Sequence, residues 1–372
     1  MKMVKRLVPV LFVFLLLAAG IIINFSYKDE HQVKEAIKNE LDLLKDLDSE
    51  TTQKYISYQE LFPDATEGDN LSDQINEVFS LFFRKFDYKI NEIKIDKNRK
   101  NASASLELTT IDARSLARDF ATSLLKQKIK ESVSSGSEEN IHSSKSLEAH
   151  YLILGHLLKT NEYDCSVTRS TIHLIYKDSK WEIKRDYSLE NDLVGGLMVY
   201  LSDPDILSPE ETLSVYFKTL KKMDLEQMSS YLGVDSIMNT SDTAKNSIAQ
   251  ALVEQVHQNF NYKIKSGTTN NYISTVTAEI TTFDSDSILK DYQTKLDKYL
   301  SSADAVIDGS QKRYTKSLNF LLDSIKNNTA VIKTDVDFVL INDGASWKLQ
   351  DDTNDLGDAI FGTLTDSPLE TE

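Results

Sequence analysis

Cysteine occurs once in this chain, at Cys165, so neither an intrachain disulfide nor a multi-cysteine metal site is available to hold the fold together. Glycine is scarce, at 12 of 372 residues, and proline scarcer still, at 5. Little material is left for the loops that cradle phosphate groups. No Gly-x-Gly-x-x-Gly, Gly-x-x-x-x-Gly-Lys-Ser/Thr, His-Glu-x-x-His, Gly-x-Ser-x-Gly or Cys-x-x-Cys occurs. No cofactor and no metal ion is expected on these grounds, and no catalytic residue is assigned. Basic charge is also short. The chain carries −16, and its first 27 residues contribute +3 through Lys2, Lys5 and Arg6, so the remainder carries −19. A surface that acidic repels nucleic-acid phosphate and anionic lipid headgroups, which argues against nucleic acid as a partner.

What is present begins with an apolar run. Leu7 to Phe25 contains no charge over 19 residues and spans about 28 Å as a helix, close to the hydrocarbon thickness of a bilayer. The three cations before it place the N-terminus, residues 1–6, in the cytoplasm and everything after Tyr27 outside. Ala18-Ala19-Gly20 offers a signal-peptidase site, but Ile21-Ile22-Ile23 continues the apolar run beyond it. The favoured expectation is a single-pass membrane anchor over 7–25, and the alternative is a secreted protein cleaved after Gly20. The position after Leu17-Ala18-Ala19, which a lipoprotein signal fills with cysteine, holds Gly20.

The remainder is ordinary globular sequence, 40% hydrophobic and 27% charged, and it is written twice. Phe86-Asp87-Tyr88-Lys89-Ile90 returns as Phe260-Asn261-Tyr262-Lys263-Ile264. Leu106-Glu107-Leu108-Thr109-Thr110-Ile111-Asp112 returns as Ala278-Glu279-Ile280-Thr281-Thr282-Phe283-Asp284. The two tryptophans, Trp181 and Trp347, close equivalent hairpins, and Asp192 and Asp358 follow them at the same distance. This organisation predicts a first α+β module over 28–196, a linker over 197–207, a second module over 208–362 and an acidic tail over 363–372.

Periodicity fills in the elements. Val33, Ile37, Leu41 and Leu44 recur at helical spacing, a second helix is expected over Thr51 to Tyr58, and Ile75, Val78, Phe79, Phe82 and Phe83 mark a third. Tyr88 to Ile95 and Ala102 to Ile111 read as strands, the second with Ala104, Leu106, Leu108 and Thr110 on a buried face. Helices over Ser115–Ser132 and Leu147–Thr160 precede a hairpin of Cys165–Tyr176 and Trp181–Tyr187. Ser208-Pro209-Glu210-Glu211 is a capping-box helix start that opens the second copy. There, helices are expected near Asp224–Leu232, Ser241–Gln258, from Ser287 and over Arg313–Asn327. Strands are expected over Asn261–Ser266, Ile273–Phe283 and a hairpin ending Trp347-Lys348-Leu349. Each module reads α-α-α-β-β-α-α-β-β, with its four strands in one antiparallel sheet under helices. The stretch from Asp351 to Glu372 holds seven acids and no Lys or Arg, and is expected to be a solvated end.

Initial helices, the Phe86 and Phe260 strand openings and the Trp181 and Trp347 hairpins resemble the nuclear transport factor 2-like superfamily of cystatin-like cones. The duplicated, membrane-anchored versions in Gram-positive envelopes are the nearer likeness. The tandem-domain channel proteins of Gram-positive conjugation systems share the plan of one anchor followed by two such domains. Enzymes of this superfamily, ketosteroid isomerases and related cyclases among them, work with an acid or base on the sheet face inside the cone. The resemblance therefore directs attention to His173, on a strand of the first sheet, and to Asp337, taken as its counterpart in the second. The helical pair between the hairpins is longer here than in those enzymes and is expected to fill or cover the pocket.

The candidate ligand-binding set is thus His173, Asp337, Tyr88 and Tyr262, each with a plainer reading beside it. A lone His or Asp on an alternating strand is usually solvated, and the matched tyrosines open their strands where a core anchor is wanted. Glu107 and Glu279 read as a solubilising outer face, and Asp335, Asp337 and Asp343 lack the glycine pattern of a calcium loop. His150 and His156 lie six apart on one helix, on different faces. The expected function is a non-enzymatic binding or scaffold protein outside a bacterial membrane, with a protein of the cell envelope as partner. The alternative is a small-molecule or enzymatic pocket in one module.

Overall fold

The computed structural model describes residues 28–47, 50, 52, 55–56, 61–63, 65–66, 72–98, 100–133, 144–234, 243–350 and 355–364. The expected anchor over 7–25 and most of the helix expected over 51–58 lie outside these residues. Among the described residues, no helix is long and apolar enough to cross a membrane. The chain is α+β and divides into two compact units, each built on a four-stranded antiparallel sheet with helices. Unit 1 takes in residues up to 120 and 145–202, and unit 2 takes in 121–144 and everything from 203 onward.

Unit 1 opens with α1 (residues 28–45), whose Val33, Ile37, Leu41 and Leu44 are all fully buried, as their spacing predicts. Next come α2 (Ser72–Phe83), β1 (Asp87–Ile95), β2 (Asn101–Ile111) and α3 (Ala113–Val133). Residues 113–120 of α3 belong to this unit and residues 121–133 to unit 2. α4 (Leu147–Thr160) starts at Ser146, whose hydroxyl accepts from the Ala149 amide at 3.1 Å. β3 (Cys165–Lys177) and β4 (Lys180–Ile183) complete the sheet, in the order β1-β2-β3-β4.

The strand expected over Trp181–Tyr187 stops at Ile183. Asp186 instead caps α5 (Tyr187–Leu193), accepting from the Leu189 amide at 3.0 Å. Ser170 ties α5 to the sheet through Asp192 at 2.6 Å. Gly195 then turns with φ +63° directly against Thr110, where a Cβ would sit 2.3 Å from the hydroxyl. A short helix, α6 (Leu197–Leu201), occupies the first half of the expected linker and falls in unit 1.

After residues 121–144, unit 2 resumes at residues 203–207. It continues into α7 (Pro209–Leu220), where Ser208 and Glu211 exchange both bonds of the capping box at 3.2 and 2.9 Å. α8 (Leu225–Tyr231), α9 (Thr243–Asn259), β5 (Asn261–Asn270) and β6 (Ile273–Phe283) follow. β5 runs four residues beyond the expected Ser266. Gly267-Thr268-Thr269-Asn270 reads locally as a loop, yet it pairs with Ile273–Val276 across a two-residue turn. α10 (Ser285–Leu300), α11 (Ala303–Ile307) and α12 (Ser310–Lys326) lead to β7 (Val331–Asn342) and β8 (Trp347–Leu349), in the order β5-β6-β7-β8. α13 (Asp355–Phe361) and a 3-10 turn over Gly362–Leu364 close the described chain. Residues 355–364, expected as part of a solvated end, are thus anchored, with Ile360 fully buried and its carbonyl bound by Thr282 Oγ1 at 3.1 Å.

The duplication is visible in backbone detail. β2 and β6 carry the same alternation of buried and partly buried residues at every position. Both first strands break register at the same place, between Ile90 and Glu92 and between Ile264 and Ser266. Beneath β6, Phe217, Phe260 and Phe338 pack edge to face with centroids 5.2 and 6.0 Å apart. Trp347 joins them and donates its indole N–H to Asp205 at 2.8 Å.

The helical pair of unit 2 is clasped by a buried carboxylate. Asp308 accepts from Tyr299 at 2.8 Å and pairs with Lys312 at 2.6 Å and Lys316 at 2.9 Å. These hydrogen bonds, led by Lys312 and Lys316, hold its carboxyl well below the usual aspartate range. A depressed folded-state value means that the clasp contributes fully above the unfolded Asp value, near pH 4, and fades as pH falls toward the folded one. Urea midpoints at pH 7 and pH 3 test this. Asp308→Asn is expected to lower the midpoint at pH 7 and to show a smaller further loss at pH 3 than the wild type.

Candidate functional site

Within each unit the candidate residues do not come together. His173 and Asp337 lie on the solvent face of their sheets, both exposed, whereas Tyr88 and Tyr262 lie half-buried on the helix-facing side of the first strands. The expected pairing of His173 with Asp337 is also off by two residues. Cys165 sits opposite Ile111 and Val331 opposite the matched Phe283, so His173 corresponds to Val339 and Asp337 to Thr171. A two-residue slip keeps a side chain on the same face, so alternation alone does not expose it. Asp337 accepts from Thr277 at 2.6 Å across the strand pair.

The interior that the resemblance assigns to a pocket is filled. Ala104, Leu106, Leu108, Ile172 and Leu174 line the inner face in unit 1, and Val276, Ala278, Ile280, Phe338 and Leu340 do so in unit 2, each at most 1% exposed. Outside, unit 2 carries an ion-pair ladder in which Lys265 joins Asp335 at 2.6 Å and Glu279 at 3.3 Å, with Lys333 on Glu279 at 3.5 Å. The Asp335 hydrogen bond raises the Lys265 ammonium, and the Lys265 hydrogen bond lowers the Glu279 carboxyl. Asp343 is engaged by Lys348, which brings its carboxyl down to about 2. Among the described residues no His, Cys, Asp and Glu side chains gather in a group of three with metal-ligand geometry.

The matched tyrosines mark the corner where the first helix of each unit crosses the edge strand. In unit 1 the Tyr88 hydroxyl donates to Asp42 Oδ1 at 2.6 Å, and Lys45 pairs with Asp87 at 2.8 Å. Burial, then the Asp42 bond, pushes the Tyr88 phenol above its ordinary value, while Lys45 draws the Asp87 carboxyl down. In unit 2 the partners at the corresponding corner are neutral. Tyr262 lies 3.3 Å from the Ser214 hydroxyl, and Lys221 donates to Asn261 at 3.0 Å. A groove of about 620 Å³ opens here between α7 and β5. It is lined by Ser214, Lys218, Lys221, Lys222, Asn261, Tyr262, Lys263 and Ile264, none of them acidic. A second hollow, of about 640 Å³ in unit 1, is lined by Asp73 and Glu77 among others.

Tyr262 is therefore the one candidate that lines the basic groove. The four lysines beside it were not singled out by sequence reasoning. The signal was nevertheless present. Asp87 becomes Asn261 between the copies, and Lys221-Lys222 stands out in a chain of net charge −16.

The two corners differ in strength as well as charge. A short bond to a carboxylate contributes more than a long one between hydroxyls, and partial exposure discounts both. Tyr88→Phe is expected to destabilise by about 1 kcal/mol, and Tyr262→Phe by less than half of that. Paired urea titrations of the single variants measure the difference.

No protein-family profile matches the chain, and no curated protein matches it. Among solved structures, it aligns with the crystal structure of a candidate lipoprotein, ycdA, from Bacillus subtilis. The alignment has 11% identity and a TM-score of 0.27, and covers 74% of this chain and 96% of the other.

Proposed function

We propose that this chain is a non-enzymatic binding or scaffold protein on the outer side of a bacterial membrane, held by residues 7–25. Its two modules, read as tandem nuclear transport factor 2-like cones, would bind a protein partner of the cell envelope. The observation that carries the reading is the filled interior. Both sheets spend their inner faces on the core, so recognition falls to the outer surfaces and edges. The pocket alternative was built on His173 and Asp337, and both lie on the exposed face, apart from the tyrosines. The charge of the chain directs the choice of partner away from nucleic acid and toward protein.

In-cell cross-linking of the affinity-tagged full chain, followed by mass spectrometry of the purified adducts, tests this proposal. A reproducible envelope protein in the adducts, with the chain itself in the membrane fraction, is the expected result. A chain that carries a stoichiometric small molecule and no cross-linked protein contradicts it.

A further inference from the structure

The groove between α7 and β5 gathers four lysines in a chain of net charge −16. Lys218, Lys221 and Lys222 come from the end of α7 and Lys263 from the strand, and among the described residues no carboxylate lines the space between them. Lysines beyond a helix C-terminus complement its dipole, which accounts for those on α7 and not for Lys263. A lysine on an edge strand keeps a sheet from pairing with copies of itself, which accounts for Lys263 and not for the other three. Neither account explains the comparison with unit 1. There Tyr88 meets Asp42 and Lys45 meets Asp87, whereas in unit 2 Tyr262 meets Ser214 and Lys221 meets Asn261, both neutral.

Cross-strand pairing tells the same story. Lys89 lies opposite Glu107 and pairs with it at 3.7 Å. Lys263 lies opposite Glu279, but Lys265 and Lys333 occupy that carboxylate instead. Among the nearby acids, Asp224 is held at the start of α8 by the Gln227 amide at 2.8 Å and Glu211 by the Ser208 amide at 2.9 Å, while Glu210 accepts from the Ser208 hydroxyl at 2.8 Å and packs against Gly267, beyond Ile264 on β5.

The groove also runs along an open backbone. Among the described residues, β5 is the edge of its sheet and pairs only with β6, so alternate N–H and C=O groups of residues 261–264 point away from the sheet. An extended segment laid there would gain main-chain hydrogen bonds from the edge and charge complementarity from lysines on both sides. We infer that this groove is the docking site for an extended acidic segment of the protein partner, added to the sheet as a strand beside β5. The inference rests on the partner-binding function proposed above and names the chemistry of the recognised element. A compact anion needs only the lysines, whereas an extended acidic peptide uses both the lysines and the edge.

Fluorescence anisotropy on the detergent-solubilised full chain tests this, with a labelled octapeptide of alternating Glu and Val as probe. Binding is expected to weaken at least about tenfold in the double variant Lys218→Glu, Lys222→Glu. The same reversal at Lys34 and Lys38 of α1 should leave it unchanged. Both side-chain pairs are surface positions, and circular dichroism confirms the fold of each variant. Methylating alternate amide nitrogens of the peptide is expected to abolish binding, because it blocks pairing with the edge.

Three results overturn the inference. They are binding no tighter than that of a Lys/Val octapeptide, equal binding of the N-methylated probe, and stronger binding of inorganic polyphosphate, which would mark a plain anion site. A partner cross-link that survives the Lys218/Lys222 reversal removes this groove while leaving the proposed function standing. Failure to recover any partner removes the function first.

Discussion

A four-stranded antiparallel sheet with one continuous apolar face leaves that face in water unless helices cover it, and both halves of this chain are arranged around that requirement. β2 and β6 supply the centre of each face, with Leu106, Leu108, Ala278 and Ile280 fully buried. α1 and α7 cover it from the N-terminal side, and α5 and α13 return after the last hairpin to close the other end. Burying a large apolar side chain contributes about 1.5–3 kcal/mol, so these rows dominate the stability of each unit. Filling the inside with side chains also leaves function to the outside. On the proposed reading, the same burial that makes the fold decides where a partner binds.

Duplication then supplies two versions of one surface. The bulge, the alternation and the tryptophan hairpin are kept because the core needs them. The corner where the first helix crosses the edge strand is under no such demand, since its polar groups are exposed or half-exposed. There the copies part, from an aspartate-rich pair of contacts to a lysine-lined groove. Constraint in the core and freedom at the corner account for which features repeat and which do not.

The alternation in β2, the helical stripe of Val33 to Leu44 and the capping box at Ser208 were legible in the sequence because each is a local pattern with a local cause. Three things were not. β5 extends through Gly267-Thr268-Thr269-Asn270 because tertiary pairing with β6 overrides weak local propensity. The strand after Trp181 stops early because Asp186 captures the Leu189 amide and starts a helix. The counterpart of His173 was misplaced by two residues, although the separation of Trp181 from Trp347 gives the register that the sheet adopts. The groove lysines were overlooked for a different reason. Lysines spread over a helix and a strand look like ordinary solvated charge until the fold brings them to one side of an acidic molecule.

Hydrogen–deuterium exchange of the full chain, with and without envelope extract, tests most directly whether recognition is external. The account predicts new protection confined to outer elements, foremost the amides of Lys218–Lys222 and Asn261–Ile264. The inner strands β2 and β6 should be equally slow in both conditions, because their faces are already closed. New protection centred on β2, β3, β6 or β7, with α7 and β5 unchanged, would mean that a ligand enters the interior of a unit and would contradict it.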